Sequence, residues 1–221
     1  MTVEEFKLRI NRYLRVKLSK YRKINKNDFT IISNNCWAGM IYESYNLQKE
    51  SPTVGLYFMA SDYIKFVKNL KHYCSQELKF IDYKKSKYYS KDKDISYPIG
   101  QLDDIELFFV HYHSKEEAKD KWNRRIKRIN YENIIFKFND QNGCTLKDVK
   151  DFLDLPYKNK LFFTVKKDFM LDNNCYKFSQ LRHKDYIMAS NEPFGKDHVI
   201  NINKYINNIK KETYFNKAKK N

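Results

Sequence analysis

The hydrophobic positions along this chain follow two periods, one typical of buried strands and one typical of helices. Short runs rich in β-branched and aromatic residues predict strands that are covered on both faces. Apolar residues repeated at spacings of three and four predict helices between these strands. Such alternation favours an α/β fold with a mostly parallel, Rossmann-like sheet flanked by helices. The predicted strands are 29–32, 53–59, 106–111, 134–138 and 161–165.

The predicted helices differ in how clearly their ends are marked. Ser114 and Glu117 form a capping-box pattern, which predicts the start of a helix that ends near Ile129. A second helix at 146–154 follows a turn-rich loop. Ser61 is predicted to cap a further helix. Two further helices are predicted, one that begins at Trp37 and one over 200–217. Residues 83–96 are rich in Lys and Tyr with weak periodicity, which predicts a mobile loop.

The first 25 residues predict an amphipathic basic helix, and residues 26–221 predict one α/β domain. The helix would place an apolar stripe opposite a basic face over residues 5–24. It can lie on an anionic bilayer, or it can pack on the domain with its basic face in water. The stripe consists of Phe6, Ile10, Leu14, Leu18 and Tyr21, and the basic residues include Arg9, Arg12, Arg15, Lys17, Lys20, Arg22 and Lys23.

The composition indicates a folded protein with an anionic partner. Lys and Arg number 43 against 27 Asp and Glu among 221 residues, which gives a formal net charge of +16. This excess favours an anionic membrane surface, nucleic acid, or a phosphorylated or acidic substrate. Aromatic residues make up 16%, which excludes a disordered chain. Because residues 83–96 interleave lysines with tyrosines without an RNA-binding signature, nucleic acid is the least favoured of these partners.

Cysteine usage and hydropathy indicate where the protein works. The four cysteines are widely spaced and match no zinc pattern, so we expect free thiols and no metal. The sequence shows no signal peptide and no apolar run long enough to cross a bilayer. We therefore expect a reducing, cytoplasmic location, which extends to the inner face of the cell membrane if the basic helix binds there.

The stretch 28–39 joins a predicted strand to a polar turn and then to a helix. Ser33, Asn34 and Asn35 follow the strand without a spacer, and Trp37 begins the helical period. In α/β proteins such a turn presents backbone N–H groups and small side chains to a ligand. We therefore expect these four residues to bind substrate. The alternative is that the turn only caps the helix, since it lacks the glycines and lysine of known phosphate motifs.

Three further residues are candidates for binding or catalysis. Asp140 follows the predicted strand 134–138, where α/β enzymes place ligand-binding carboxylates. It could bind a divalent cation, activate a hydroxyl or close an Asx-turn. Arg124 and Arg128 lie one helical turn apart, so their planar guanidinium groups could clamp a phosphate or carboxylate. They could equally form surface ion pairs.

Cys36 is a candidate nucleophile. It stands at the start of a predicted helix, where the macrodipole lowers the pKa of a thiol. His111 or His113 could then serve as its base. The alternative is a buried inert thiol, which is the commoner fate of a free cysteine.

Seven blocks of the sequence carry a family resemblance. They are FTIISNNCWAG, SPTVGLYF, SQELKFI, YPIGQL, HYHSKEEAKDKWNRRIKRIN, FKFNDQNGCT and LPYKNKLFFT. In this order, over roughly residues 26–167, the blocks resemble a bacterial family of unknown function whose members are commonly labelled exopolysaccharide biosynthesis proteins. Ala38 stands where the family pattern has the second glycine of a Cys-Trp-Gly-Gly motif, which relaxes the need for close backbone approach there.

This resemblance implies a transferase that acts on a capsule, an exopolysaccharide or its lipid-linked precursor. Glycosyl transfer from a nucleotide sugar is favoured over acyl transfer, and the absence of an Asp-x-Asp motif argues against a metal-bridged diphosphate. The alternatives are a Cys36-dependent acyltransferase and a non-enzymatic basic module that binds membrane or nucleic acid. In the favoured hypothesis the donor contacts Ser33, Asn34 and Asn35, its phosphate contacts Arg124 or Arg128, and the general base is Asp140 or His111.

Overall fold

The computed structural model describes Phe6, Ile10, Tyr13, Leu14, Ile24 and residues 28–217. The predicted helix at 5–24 therefore falls almost entirely outside the described residues. The strands of the described part are β1 (Thr30–Ser33), β2 (Lys79–Ile81), β3 (Ile99–Leu102), β4 (Ile105–Phe108), β5 (Ile134–Asn139), β6 (Lys160–Thr164) and β7 (Cys175–Lys177). Its helices are α1 (Trp37–Ser44), α2 (Ala60–Lys68), α3 (Leu70–Ser75), α4 (Lys115–Ile126), α5 (Leu146–Leu153), α6 (Ile202–Asn207) and α7 (Tyr214–Lys217).

Four strands form a parallel sheet in the order β1-β5-β6-β7. Alternate residues of β5 face two different hydrophobic cores. Phe136 and Phe138 belong to a core shared with α2 and α5, whereas Ile135 belongs to a core shared with α1 and α6. Both faces of the sheet are thus covered, which explains why its strands read as continuous apolar runs. The prediction of a mostly parallel sheet flanked by helices is confirmed.

A second, antiparallel sheet was not predicted. It has three strands in the order β2-β3-β4, and β3 and β4 form a hairpin in which Leu102 pairs with Ile105. Asp103, at the turn, has a φ of 52°. Gly100 allows close packing, because a Cβ there would lie 2.7 Å from side-chain atoms of Leu78 and Phe109. Strand β4 stops at Phe108, three residues before the predicted end.

The prediction of a strand at 53–59 is wrong. This segment runs beside β1, but side-chain hydroxyls replace the backbone ladder. Ser33 N donates to Thr53 Oγ1 at 3.1 Å, and Thr53 Oγ1 lies 3.0 Å from Ser51 Oγ. Gly55 then turns the chain with a φ of +81°, a conformation that interrupts a strand. Only an isolated bridge from Tyr57 to Phe108 is formed within the segment.

Local capping signals decide how well the helices were predicted. Helix α4 begins as expected, because Ser114 Oγ accepts a bond from Glu117 N at 3.1 Å. Helix α5 has a capping box made by Thr145 and Asp148. Ser61, in contrast, is not a cap but the second residue of α2, which begins at Ala60, after Met59, with no side-chain cap.

The prediction of one helix over 200–217 is wrong. The chain leaves the helical path after α6 and is irregular until α7. Lys210 N donates to the side chain of Asn159 at 2.9 Å, and Glu212 N donates to Glu132 O at 2.5 Å. These long-range bonds replace helical ones.

Residues 83–96 are irregular, as predicted, apart from a 3-10 turn at Tyr83–Lys85. They are nevertheless bonded to the rest of the protein. Ser86 Oγ donates to Glu106 at 2.5 Å, and Lys87 Nζ donates to Asp62 at 2.7 Å. Among the helices of the described residues, none has the length and apolar character needed to cross a bilayer.

Candidate functional site

The polar turn of the sequence lies at the carboxyl edge of the parallel sheet. Because β1 and β5 run parallel with Ser33 beside Lys137, their following residues meet at one edge. Ser33, Asn34 and Asn35 are all buried there. The structure therefore brings the three predicted substrate-binding residues next to the end of β5, but it does not leave them open to solvent.

The two asparagines are occupied by bonds within the protein. Asn34 Nδ2 donates to Asn139 Oδ1 at 2.7 Å, and Asn35 Nδ2 donates to Glu192 Oε1 at 3.1 Å. Asn139 Nδ2 donates to the same carboxylate oxygen at 2.7 Å. Asn35 Oδ1 also accepts from Trp37 N at 3.1 Å, which orders the first turn of α1. We call Asn34, Asn35, Lys137, Asn139 and Glu192 the strand-end network.

Lys137 is the centre of this network. Its side chain is fully buried in β5, and its ammonium group forms an ion pair with Glu192. It also donates to Asn35 Oδ1 at 2.9 Å and to Asn34 Oδ1 at 3.3 Å. Burial lowers the pKa of Lys137 to about 8, against the opposing effect of Glu192. A buried charged pair of this kind depends on each partner being present.

A segment from the C-terminal third of the chain covers the strand-end network. Asn139 Nδ2 donates to Ile187 O at 2.8 Å, and Trp37 Nε1 donates to Pro193 O at 2.9 Å. The ring of Phe194 stacks on Tyr45 with centroids 5.6 Å apart. Trp37 is therefore a buried core residue whose polar atom is already bonded. Residues 187–194 occupy the edge where a ligand was expected.

Asp140 joins three segments of backbone. Its carboxylate accepts bonds from Thr164 Oγ1 at 2.7 Å, from Val165 N at 2.8 Å and from Ile187 N at 2.8 Å. The residue is buried, and both of its oxygens are engaged. This geometry ties β5 to the end of β6 and to the covering segment. It is the arrangement of a structural carboxylate.

An open cleft of 520 Å³ lies beside this edge, next to the start of α1. It brings together two candidates that are distant in sequence, Cys36 and His111. We call it the Arg125 cleft after its most buried cationic residue. Its lining consists of Cys36, Gly39, Met40, Glu43, Lys49, Val54, Gly55, His111, Tyr112, Lys121 and Arg125.

Arg125 is buried, and the partners that the described residues give it are neutral. Its Nη1 donates to Tyr112 Oη at 2.6 Å and to Val54 O at 3.1 Å. Among the described residues no Asp or Glu is in ion-pair contact with it. A guanidinium has five N–H donors, so most of them remain for a ligand. A buried cation with only neutral partners favours binding of an anion.

The two other cations of the Arg125 cleft are neutralised within the protein. Lys49 Nζ lies 2.5 Å from Glu43, and Lys121 forms an ion pair with Glu117. Arg125 therefore differs from both lysines in having no acidic partner among the described residues.

The predicted arginines lie elsewhere on α4. Arg124 is half exposed and pairs with Asp120 at 3.6 Å, and neither it nor Arg128 lines the Arg125 cleft. Arg125 was missed by the sequence analysis, although its position carried a signal. It follows Ala118 and Trp122 on the buried stripe of α4 at a spacing of three residues from the tryptophan.

Cys36 adjoins both the Arg125 cleft and the strand-end network. Burial raises the pKa of its thiol to about 11, the charge of Glu192 adds to this, and Lys137 opposes it. This direction is opposite to the lowering expected from a helix N-terminus. All four cysteines are free. Within the described residues, no group of three or more His, Cys, Asp or Glu could hold a metal ion.

The fold and the cleft define a basic α/β protein with a mostly parallel sheet and a partly open, cationic cleft next to the start of α1. The chain belongs to the DUF1919 family, described as a domain of unknown function, whose profile matches residues 9–216. It is also 37% identical over 145 residues to an uncharacterized protein of Haemophilus influenzae. That match covers 66% of this chain and 66% of the relative, just under two thirds of either. The expected membership of a family of unknown function is confirmed.

Proposed function

We propose that this protein is a transferase of cell-surface polysaccharide biosynthesis that binds the phosphates of a nucleotide-sugar donor in the Arg125 cleft. The observation that carries the proposal is Arg125 itself, a buried guanidinium that lacks an acidic partner among the described residues. Arg is suited to phosphate because its planar group donates in pairs. The choice of a capsule or exopolysaccharide substrate rests on the resemblance of the sequence blocks.

His111 is the proposed general base toward the acceptor hydroxyl. It lines the same cleft as Arg125, whereas Asp140 is held by three bonds elsewhere. In this proposal Ser33, Asn34 and Asn35 position residues of the cleft instead of contacting the substrate. Their buried bonds fix the start of α1 and so the position of Cys36. Positioned groups of this kind contribute through orientation rather than contact.

A thermal-shift experiment tests the proposal. The protein is titrated with a panel of nucleotide sugars and with acetyl-CoA, because a ligand that binds only the native state raises the melting temperature. At a hundredfold excess over Kd, we expect a rise of about 5–10 °C with one nucleotide sugar. The rise should be lost in Arg125→Gln and kept in Arg124→Gln, a matched charge change on the exposed face of the same helix. An equal rise in Arg125→Gln would contradict the proposal.

A Cys36-dependent acyltransferase is the second candidate. It is favoured by the presence of Cys36 and His111 in one cleft. The thiolate would attack the carbonyl of an acyl-CoA, coenzyme A would leave as a thiol with the proton held by His111, and a glycan hydroxyl would then take the acyl group. A mass increase on Cys36 after incubation with acetyl-CoA supports this candidate. Nucleotide-sugar binding that is unchanged in Cys36→Ala favours the first.

The N-terminal segment supports an anionic membrane, or a glycan carried on it, as partner. Phe6, Ile10, Tyr13 and Leu14 have helical backbone and are 43–57% exposed. Basic residues surround them in the sequence, which complements anionic lipid. The protein would then work in the cytoplasm at the inner face of the cell membrane.

Vesicle co-sedimentation tests this placement. Binding to vesicles of phosphatidylglycerol should fall steeply with salt, and Leu14→Glu should weaken it. Equal binding to neutral phosphatidylcholine would contradict it. Vesicle or nucleic-acid binding without any response to nucleotide sugars favours the non-enzymatic alternative, a basic binding module.

A further inference from the structure

The hydroxyl of Tyr112 stands between Arg125 and the backbone of the neighbouring loop. It donates to Val54 O at 2.6 Å and accepts from Arg125 Nη1 at 2.6 Å. Arg125 Nη1 also reaches Val54 O directly at 3.1 Å. The three groups form a closed triangle of hydrogen bonds. Both bonds of Arg125 come from Nη1, so this end of the guanidinium is fixed and neither bond uses Nη2 or Nε.

Tyr112 is itself held in place by its surroundings. Its ring packs edge-on against Phe109 with centroids 5.1 Å apart, and Lys121 Nζ lies 5.4 Å from the ring centroid. Gly55 touches the ring so closely that a Cβ there would lie 2.9 Å from Tyr112 Cε2. The backbone of His111 donates to Gly55 O at 3.1 Å and joins the two loops. The hydroxyl has little freedom to move.

The Tyr112 hydroxyl is protonated, as its hydrogen bond to Val54 O requires. Burial raises the pKa of Tyr112, although Arg125 lowers it, so the hydroxyl is neutral at physiological pH. A neutral hydroxyl has one proton, which is given to Val54 O, and lone pairs, one of which accepts from Arg125. The positive charge of Arg125 is consequently oriented by neutral partners. It stays available to an anion.

We propose that Tyr112 is a positioning residue, which holds the Arg125 guanidinium so that its remaining donors point at the anion bound in the Arg125 cleft. This inference rests on the proposed role of Arg125 in binding phosphate. Tyr112 fixes the direction of those donors before the ligand arrives, which lowers the entropy lost on binding.

The test uses inorganic pyrophosphate as a probe of the full-length protein in isothermal titration calorimetry. Tyr112→Phe keeps the ring and removes only the hydroxyl, so we expect its Kd to rise about tenfold, as for loss of one hydrogen bond to a charged group. Tyr73→Phe is the matched control, since its hydroxyl bonds to Asp104 at 2.7 Å and it does not line the Arg125 cleft. Its Kd should stay within twofold of the wild type.

A double-mutant cycle separates positioning from general packing. In an Arg125→Lys background, which keeps the charge and so measurable binding, Tyr112→Phe should change the Kd by less than twofold, because the guanidinium it orients is gone. A tenfold loss in that background, or no loss in the single variant, overturns the inference. If wild-type protein fails to bind pyrophosphate, or if Arg125→Gln binds it equally well, the proposed function fails first and the inference falls with it.

A second measurement needs no variant. In ligand-free wild-type protein, ¹⁵N NMR of the arginine side chains should show separate resonances for the two terminal nitrogens of Arg125, because the triangle of bonds slows rotation of its guanidinium. A single averaged resonance would overturn the inference even if Tyr112→Phe did not fold. Restricted rotation that is lost in folded Tyr112→Phe supports it.

Discussion

Two polar regions meet at Cys36, and they differ in what neutralises their charges. In the strand-end network, Lys137 and Glu192 neutralise each other and the asparagine amides complete the hydrogen bonding. In the Arg125 cleft, the hydrogen-bond partners of the guanidinium within the described part of the chain are a hydroxyl and a carbonyl. The first region is buried under residues 187–194, and the second opens to solvent through a cleft of 520 Å³.

This difference shows that a polar sequence motif and a ligand site need not coincide. The side chains of Ser33, Asn34 and Asn35 are buried. Buried polar groups require hydrogen-bond partners for their donors and acceptors. Here the partners are supplied by the chain itself. The adjoining cleft is lined largely by residues from three of the family blocks. Among the described residues it leaves the charge of Arg125 without an acidic partner. Stability should therefore depend on the first region and anion binding on the second.

The strongest test of the comparison removes the centre of the strand-end network. Lys137→Met leaves Glu192 buried without its cation, so we expect the free energy of unfolding to fall by about 3–5 kcal/mol. Lys137→Met combined with Glu192→Gln removes both charges while the new amide oxygen can still accept from Asn139, and it should recover about half of that loss. Urea unfolding at pH 7 measures both values. A loss below about 1 kcal/mol in Lys137→Met would show that the network is not structural.

Asp140→Asn tests whether that carboxylate is structural or catalytic. An amide in its place keeps one oxygen and replaces the other with an NH2 group, which would face the backbone donor of either Val165 or Ile187. We therefore expect a loss of about 2–3 kcal/mol in the free energy of unfolding. Pyrophosphate binding by the folded variant should stay within twofold of the wild type. An unchanged free energy of unfolding together with lost transferase activity would instead assign Asp140 to the reaction.

Gly55→Ala tests the other side of the comparison. The alanine would be strained at a φ of +81°, and its Cβ would lie 2.9 Å from the Tyr112 ring. We expect a loss of about 1–2 kcal/mol in the free energy of unfolding, together with weaker pyrophosphate binding because Tyr112 must shift. Calorimetry and urea unfolding measure the two effects. Weaker stability with unchanged binding would show that the ring does not control Arg125.

The sequence predicts those parts of the structure that depend on neighbours along the chain. Strand β5 and helix α4 were found because an apolar run marks the first and Ser114 caps the second. Strands β2 and β7 have three residues each, and such short segments are defined by their partners rather than by their own pattern. The apolar pattern of 53–59 predicts a strand. The prediction is wrong because the hydroxyl of Thr53 takes the place of the backbone hydrogen bonds that would pair this segment with β1.

The candidate site was predictable only in part, for a similar reason. Glu192 is 157 residues away from Asn35 along the chain. No local pattern indicates that its carboxylate accepts a hydrogen bond from the Asn35 side chain. Cys36 and His111 were chosen by residue type, and the fold places them in one cleft. Arg125 lies on the buried stripe of its helix, where a cation is rare unless it is paired or functional. Searching buried stripes for charged residues would have found it.

The last effect, equal in size to that of Gly55→Ala, concerns the pH dependence of the strand-end network. The pKa of Lys137 is about 8 in the folded protein and 10.5 in the unfolded chain. Between these values the unfolded chain binds more protons, so this residue makes the free energy of unfolding rise with pH. We expect a rise of about 1–2 kcal/mol from pH 8 to 9.5, and no contribution below about pH 7.

Other groups act in the opposite direction over the same range, so a difference measurement is needed. Burial raises the pKa of the Cys36 and Cys74 thiols and of the Tyr42 hydroxyl, and their contributions make stability fall at high pH. The doubly substituted protein, Lys137→Met with Glu192→Gln, keeps these groups and lacks Lys137. The free energy of unfolding of the wild type minus that of this variant should therefore rise between pH 8 and 9.5. A flat difference would mean that Lys137 keeps its proton throughout, and that Glu192 and the asparagine oxygens outweigh the cost of burial.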